Sequence, residues 1–169
     1  MSLPKKLKKF AIFNEGQMYL GEIDEIVLPK LTAKMEEWRG GGMDMAVDAD
    51  MGMEKMTLEW TVGGYAVQPF RQFGVLRADG VMLRFAGAIQ AEDSADVIPV
   101  EVVARGRHSE IDPGSSKAGE DTAIKITSSL VYYKLTINNR VEVEIDALNM
   151  VKIVDGVDLM EPFRRALGI

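Results

Sequence analysis

The stretch "TAIKITSSLVYYKLTINNRVEVEID" (Thr122–Asp146) decides the fold. Ile124, Ile126, Leu130 and Tyr132 alternate with Lys125, Thr127, Ser129 and Val131, the period of two expected of a strand with one face buried and one wet. Asn138 and Asn139 tolerate the left-handed backbone of a tight turn. Val141, Val143 and Ile145 then return on one face, against Glu142, Glu144 and Asp146 on the other. The segment reads as a long β-hairpin with one polar face.

The same period runs outward in both directions. Leu58, Trp60 and Val62 share a face opposite Thr57, Glu59 and Thr61. Val81, Leu83, Phe85 and Ile89 stand together opposite Met82 and Arg84. Ile98, Val100, Val102 and Ala104 point inward against Glu101 and Arg105, and Pro99, which lacks an N–H, assigns the start of that strand to an edge or a bulge. "YLGEIDEIVLPKLTAKMEEW" reads as two strands broken around Pro29. Helical signals are few. Ala66–Gly74 predicts a short helix with Pro69 in its first turn and Gly74 as its stop. The end of the chain predicts another, with Asp158 as cap, Arg164 and Arg165 in the last turn, and a start near Pro162. The fold class is therefore mainly β with one or two helices, in a single domain spanning residues 1–169. Two long loops are expected, at about 40–56 and 106–121.

At 169 residues the chain can bury a core without staples, and 47% hydrophobic with 27% charged residues is the balance of a globular chain. The absence of cysteine excludes disulfides, thiolate zinc sites and thiol nucleophiles together. No apolar run approaches the roughly 20 residues that span a bilayer. "MSLPKKLKKF" is basic but lacks a secretory apolar core, so a cytoplasmic, reducing compartment and no stable membrane association are expected. The net charge of −6 excludes a global basic footprint for tight nucleic-acid binding.

Enzyme and metal motifs fail on their details. Gly40, Gly41 and Gly42 precede Met43 and Asp44 rather than the Lys-Ser/Thr pair of a phosphate loop. Asp48, Asp50 and Glu59 fall at calcium-loop positions one, three and twelve. Met53 replaces the required glycine, however, and Gly52 replaces the third ligand. His108, the lone histidine, stands near Glu110 and Asp112, but no second imidazole exists for a catalytic zinc, and it reads as a surface residue of a polar loop. Ser115 and Ser116 have no base partner unless His108 serves. No catalytic residue, cofactor or metal is assigned. Met51, Met53 and Met56 have two readings: core filler, or an adaptable surface for another protein.

The chain as a whole resembles the major tail tube proteins of contractile-tailed phages and the related R-type pyocins. The likeness rests on an ordered series: "LPKKLKKFAIFNEG", "VLPKLTAKMEEWRGGGMD", "MGMEKMTLEWTVGG", "RFAGAIQ", "VVARGRHSEIDPGSSKAGED", "YYKLTINN", "VEIDALNM" and "VDGVDLMEPFRRALGI". Asp155 stands where Asn is expected, the chain ends in Ile169 rather than Leu, and residues 43–56 fit loosely. The resemblance implies an antiparallel β-sandwich or half-barrel subunit that forms stacked hexameric rings. Strands of six copies would complete an inner β-barrel that conducts DNA without sequence-specific binding. The implied partners are the tail sheath, baseplate or tail initiator and tape measure proteins, in a virion tail assembled in the bacterial cytoplasm. A bacteriocin or type VI-like puncturing tube carrying no DNA is the alternative. On this reading Gly40, Gly41 and Gly42 hinge an arm of about Met43–Met56 that includes Asp44, Met51 and Met53 and is ordered by another subunit. Glu110, Asp112, Lys117 and Glu120 would make intersubunit pairs.

Overall fold

A computed structural model describes all residues from Met1 to Ile169. The elements, in order, are β1 (Lys6–Asn14), β2 (Gln17–Met18), β3 (Ile23–Val27), β4 (Ala33–Trp38), β5 (Val47–Met53), β6 (Met56–Gly63), α1 (Val67–Gln72), β7 (Val81–Gln90), β8 (Ile98–Asp112), β9 (Ala123–Ile137), β10 (Arg140–Asp146), β11 (Val151–Val154), β12 (Val157–Asp158) and α2 (Glu161–Leu167). All strand pairs are antiparallel, and the main sheet runs β12-β11-β10-β9-β8-β7-β1-β2 without closing on itself.

The branch point is β9. One of its sides pairs with β8 along nearly its whole length. The other side is shared: Ala123–Leu130 pairs with β6, and Tyr132–Ile137 pairs with β10. β3 extends the first branch by pairing with β6. A sheet that forks this way curls around one core instead of lying flat, which is the half-barrel that the resemblance implied.

The fork coincides with a bulge. Leu130 pairs with Gly106 and Tyr132 with Arg105, so Val131 is the extra residue. One inserted residue turns every later side chain to the opposite face. Ile124, Ile126 and Leu130 are buried, but beyond the bulge Tyr133 is the buried tyrosine. Tyr132, expected inside, faces outward. The crowding falls on Gly106, where an added Cβ would lie 2.0 Å from the Ser129 carbonyl oxygen. A second bulge at Glu142 does the same to β10, placing Val141 opposite Thr136 on the polar side and Val143 opposite Leu135 on the core side. Val141 therefore does not share the face of Val143 and Ile145.

The core joins Leu58, Trp60 and Val62 of β6 to Val81, Leu83 and Phe85 of β7, Val102 and Ala104 of β8 and the inward residues of β9. Tyr19 closes on Trp60 edge-to-face, with ring centroids 5.5 Å apart. Pro99 sits within a central strand, not at a sheet edge. It is the second residue of β8, one position beyond the Val100–Ile137 pair, where its carbonyl accepts the Asn138 N–H at 2.9 Å. The Asn138–Asn139 turn forms as expected, with φ of 50° and 64°.

Both expected helices are present. Pro69 lies in the first turn of α1, and Gly168 ends α2. Asp158 stands two residues before the Met160 cap, accepting the Met160 N–H at 3.0 Å and pairing with Arg164 at 2.6 Å. This ion pair holds the Asp158 carboxyl below its ordinary value, chiefly through the Arg164 hydrogen bond.

Neither long loop has its expected extent. Residues 47–53 are strand β5, and residues 106–112 continue β8.

Candidate assembly surfaces

The arm is a hairpin. β4 and β5 pair only with each other, forming a separate two-stranded sheet. Every residue of both strands is exposed except Met53. The register places Trp38 opposite Val47 and Glu36 opposite Ala49 on one face, with Met35 opposite Asp50 and Glu37 opposite Asp48 on the other. One face is thus largely apolar and the other acidic. A lone two-stranded hairpin is marginal in water and gains stability by packing against something else.

The three glycines form the tip of this hairpin and do not hinge its base. The Trp38 ring folds over Gly40, where a Cβ would lie 2.5 Å from the indole. Gly42 turns the chain at φ 88°. The Met43 N–H returns to the Gly40 carbonyl at 3.2 Å, and the Arg39 guanidinium donates to the Met43 and Asp44 carbonyls at 3.2 and 3.0 Å. The base lies instead at Thr32 and Glu54, joined by a 2.8 Å backbone bond. Asp50 Oδ1 accepts the Gly52 N–H two residues on at 2.9 Å, so the segment that resembled a calcium loop is strand bonded to its own backbone. Position divides the methionines: Met56 is buried and Met53 half-buried against the core, while Met35, Met45 and Met51 are exposed.

The second group of expected contact residues divides. Glu110 and Asp112 lie on β8 opposite Thr127 and Lys125. Lys117 and Glu120 lie in the following loop and pair with each other at 3.1 Å. Asp112 Oδ1 accepts the Gly114 N–H at 2.9 Å, pinning the start of that loop.

The branched sheet ends at three strands, and β3 has no partner on the side away from β6. β1 pairs with β2 only at Phe13 and Asn14, so the run from Lys6 to Ala11 has no strand on its outer side. At the far end β12 covers β11 at Ile153 and Val154, the Leu159 N–H bonds the Lys152 carbonyl at 2.8 Å, and Arg164 bonds the Met150 carbonyl at 2.6 Å, so this end is largely capped. Between these edges the outer face carries charge of both signs. Arg84 pairs with Glu101 at 3.3 Å and lies over the Phe13 ring at 4.4 Å. Tyr132 donates to Glu144 at 3.0 Å. Burial, then this acceptor, pushes the Tyr132 hydroxyl up to about 12.

His108 is buried, contrary to its sequence reading. It falls on the core side of β8 and bonds Ser128 Oγ at 2.8 Å through Nδ1 and Gln72 Oε1 at 3.0 Å through Nε2. Gln72 and Asn14 exchange two amide bonds, each 2.8 Å, and the Gln68 amide donates to the Asn14 carbonyl at 3.2 Å. The Gln72 acceptor sets the tautomer: Nε2–H donates, and Nδ1 accepts from the Ser128 hydroxyl. Burial pushes the imidazole down to about 4, so it is neutral in ordinary buffers. A Ser–His pair sealed this way meets no substrate; it fastens α1 to β1, β8 and β9.

The chain is an open antiparallel half-barrel with a projecting hairpin and exposed apolar side chains. Residues 4–168 match the family described as Phage tail tube protein FII, and the chain belongs to that family of structural, non-enzymatic proteins. It is 40% identical over 172 residues to the tail tube protein of Escherichia phage P2, covering 100% of both chains. It is 37% identical to the major tail tube protein of Serratia phage KSP20, covering 94% of this chain and 92% of that one. Among solved structures it superposes with a TM-score of 0.60 on a chain of the PVC sheath–tube complex, an extracellular contractile injection system in its extended state. That match has 7% identity and covers 79% of this chain and 91% of the other. A chain of the anti-feeding prophage tube-terminating cap matches with a TM-score of 0.59 at 11% identity, over 81% of this chain and 92% of that one. These distant structures share the fold.

Proposed function

We propose that this chain is the subunit of the inner tube of a contractile tail, built as stacked hexameric rings through which DNA passes into the host cell. The observation that carries the reading is the unclosed sheet, with unpaired edges along β1 and β3. Exposed strand edges template uncontrolled pairing, and closing a ring of copies edge to edge satisfies both. The outer face of β7 to β10 would then form the lumen wall. Arg84 on that face is matched by Glu101, and the chain's net charge of −6 gives phosphates little to hold, so the cargo slides past. The arm, with Gly40–Gly42 and Asp44 at its tip and Met51 along its length, would be covered by a neighbouring copy. Glu110, Asp112, Lys117 and Glu120 would make intersubunit pairs, the last two in place of their present bond to each other. The sheath would surround the tube, while the tail initiator and tape measure proteins would nucleate it and set its length in the host cytoplasm before it joins the virion tail. A tube of the same build that punctures an envelope without DNA is the second reading, favoured by the fold shared with injection-system structures.

Negative-stain electron microscopy of the purified protein at low and high concentration tests this. Rings or tubes with a central hole are the expected result. Particles that stay monomeric after addition of the tail initiator proteins would refute it.

A further inference from the structure

Helix α1 is built inside out. Its inward residues are Gln68, Pro69 and Gln72, the two glutamines bonded into the His108–Asn14 network. Its outward residues are Val67, Phe70 and Arg71, and the segment continues through Phe73 to Leu76, which is 93% exposed. A helix that buries its amides and leaves its phenylalanines in water is arranged for a surface that another molecule will cover. Aromatic residues beside an arginine are the composition of interface anchors. Between Tyr65 and Ala78 there is no carboxylate. Asp79 is engaged by Arg77 at 3.1 Å, so Arg71 is the cation left without a partner.

The hairpin offers the complement. Between Ala33 and Met53 it holds five carboxylates against two cations. One of those cations, Arg39, is occupied by carbonyls at the tip. The Trp38 face combines indole, Val47 and Ala49 with a single carboxylate, Glu36. Its strands reach about 20 Å, enough to cross to another molecule.

We infer that the Trp38 face of the β4–β5 hairpin seats on the α1 platform of a second copy, with Glu36 pairing Arg71 and Trp38 covering Phe70 and Phe73. The contact is heterologous: each copy gives an arm and receives one, so it either closes a ring or continues from ring to ring. It deepens the tube reading and rests on it.

The cysteine-free chain makes cross-linking clean. Val47→Cys and Leu76→Cys single variants are mixed, polymerised and treated with a short bismaleimide. A linked dimer is expected from the mixture and from neither variant alone. In parallel, Glu36→Arg and Arg71→Glu are each expected to raise the concentration needed for assembly at least about tenfold, and the double variant to recover most of it. Far-UV circular dichroism checks that each variant folds. Polymer that forms but does not link, or Val47→Cys linking to itself, overturns the contact and leaves the tube reading intact. A double variant no better than the singles does the same. Wild-type protein that never polymerises overturns both.

Discussion

Mild acid will loosen this fold before most carboxylates titrate, and His108 is the reason. Its imidazole takes a proton at 6.5 in an unfolded chain and at about 4 in the fold, where burial opposes the charge. Protonation would also place a hydrogen on Nδ1 facing the Ser128 hydroxyl at 2.8 Å, displacing the bond it now accepts. The folded value is the lower one, so the neutral imidazole's contribution is full above pH 6.5 and is lost as pH falls through 4. At about 1.4 kcal/mol per tenfold, the complete loss is about 3 kcal/mol, of which about 2 kcal/mol disappears between about pH 7 and pH 4.5. That is a large share of a typical domain's stability of about 5–15 kcal/mol. Urea unfolding, followed by tryptophan fluorescence across this range, measures it in the wild type and in His108→Gln. The glutamine variant is expected to be less stable near neutral pH and flatter with acid. Curves that fall in parallel down to about pH 5 would refute the assignment, because the loss would then belong to groups other than His108.

Three further perturbations separate the other devices of the fold. Gly106→Ala drives a Cβ against the Ser129 carbonyl; a loss of about 3 kcal/mol or more in chemical denaturation is expected, because backbone, not a flexible side chain, must move. Replacing residues 34–52 with a two-residue turn is expected to change the monomer's unfolding by less than about 1 kcal/mol, since these side chains are exposed, while abolishing polymer by electron microscopy. Asp158→Asn removes the partner of Arg164, and faster amide exchange confined to the C-terminal helix is the expected signature. In the wild type the same fraying will appear as pH falls through the depressed Asp158 value.

The tube reading connects three properties that would be liabilities in a monomer. Unpaired edges on β1 and β3, an unsupported hairpin and an aromatic platform on α1 each invite association. Their occurrence in one small chain, with core residues otherwise well buried, is economical only if copies of the chain meet at all three. The outer face of β7 to β10 differs from these in carrying charge of both signs, with Arg84 paired to Glu101, as the proposed wall in contact with water and moving cargo would.

Alternation in single strands was legible because a period of two depends only on which neighbours are wet. It placed Trp60, Leu83 and Val102 inside without knowledge of their partners. The ordered series of stretches likewise carried the family. What alternation cannot show is a bulge, because the extra residue is defined by the strand across from it: Val131 and Glu142 look regular in sequence, and the faces of Tyr132 and Val141 were consequently misread. His108 was misread for a related reason. The polar run "GRHSEIDPG" reads as a loop, yet strand pairing with β9 carries Gly106 to Asp112 into the sheet and turns the imidazole toward Ser128. The glycines at 40–42 announce a sharp change of direction in any context. Only the register of β4 with β5 makes that change the tip of a projecting arm, and only Gln72, held by Asn14 and His108, turns the aromatic side of α1 outward. Local propensity and periodicity were therefore determined by the chain alone. Which side of each element meets solvent was decided by contacts between residues distant in sequence.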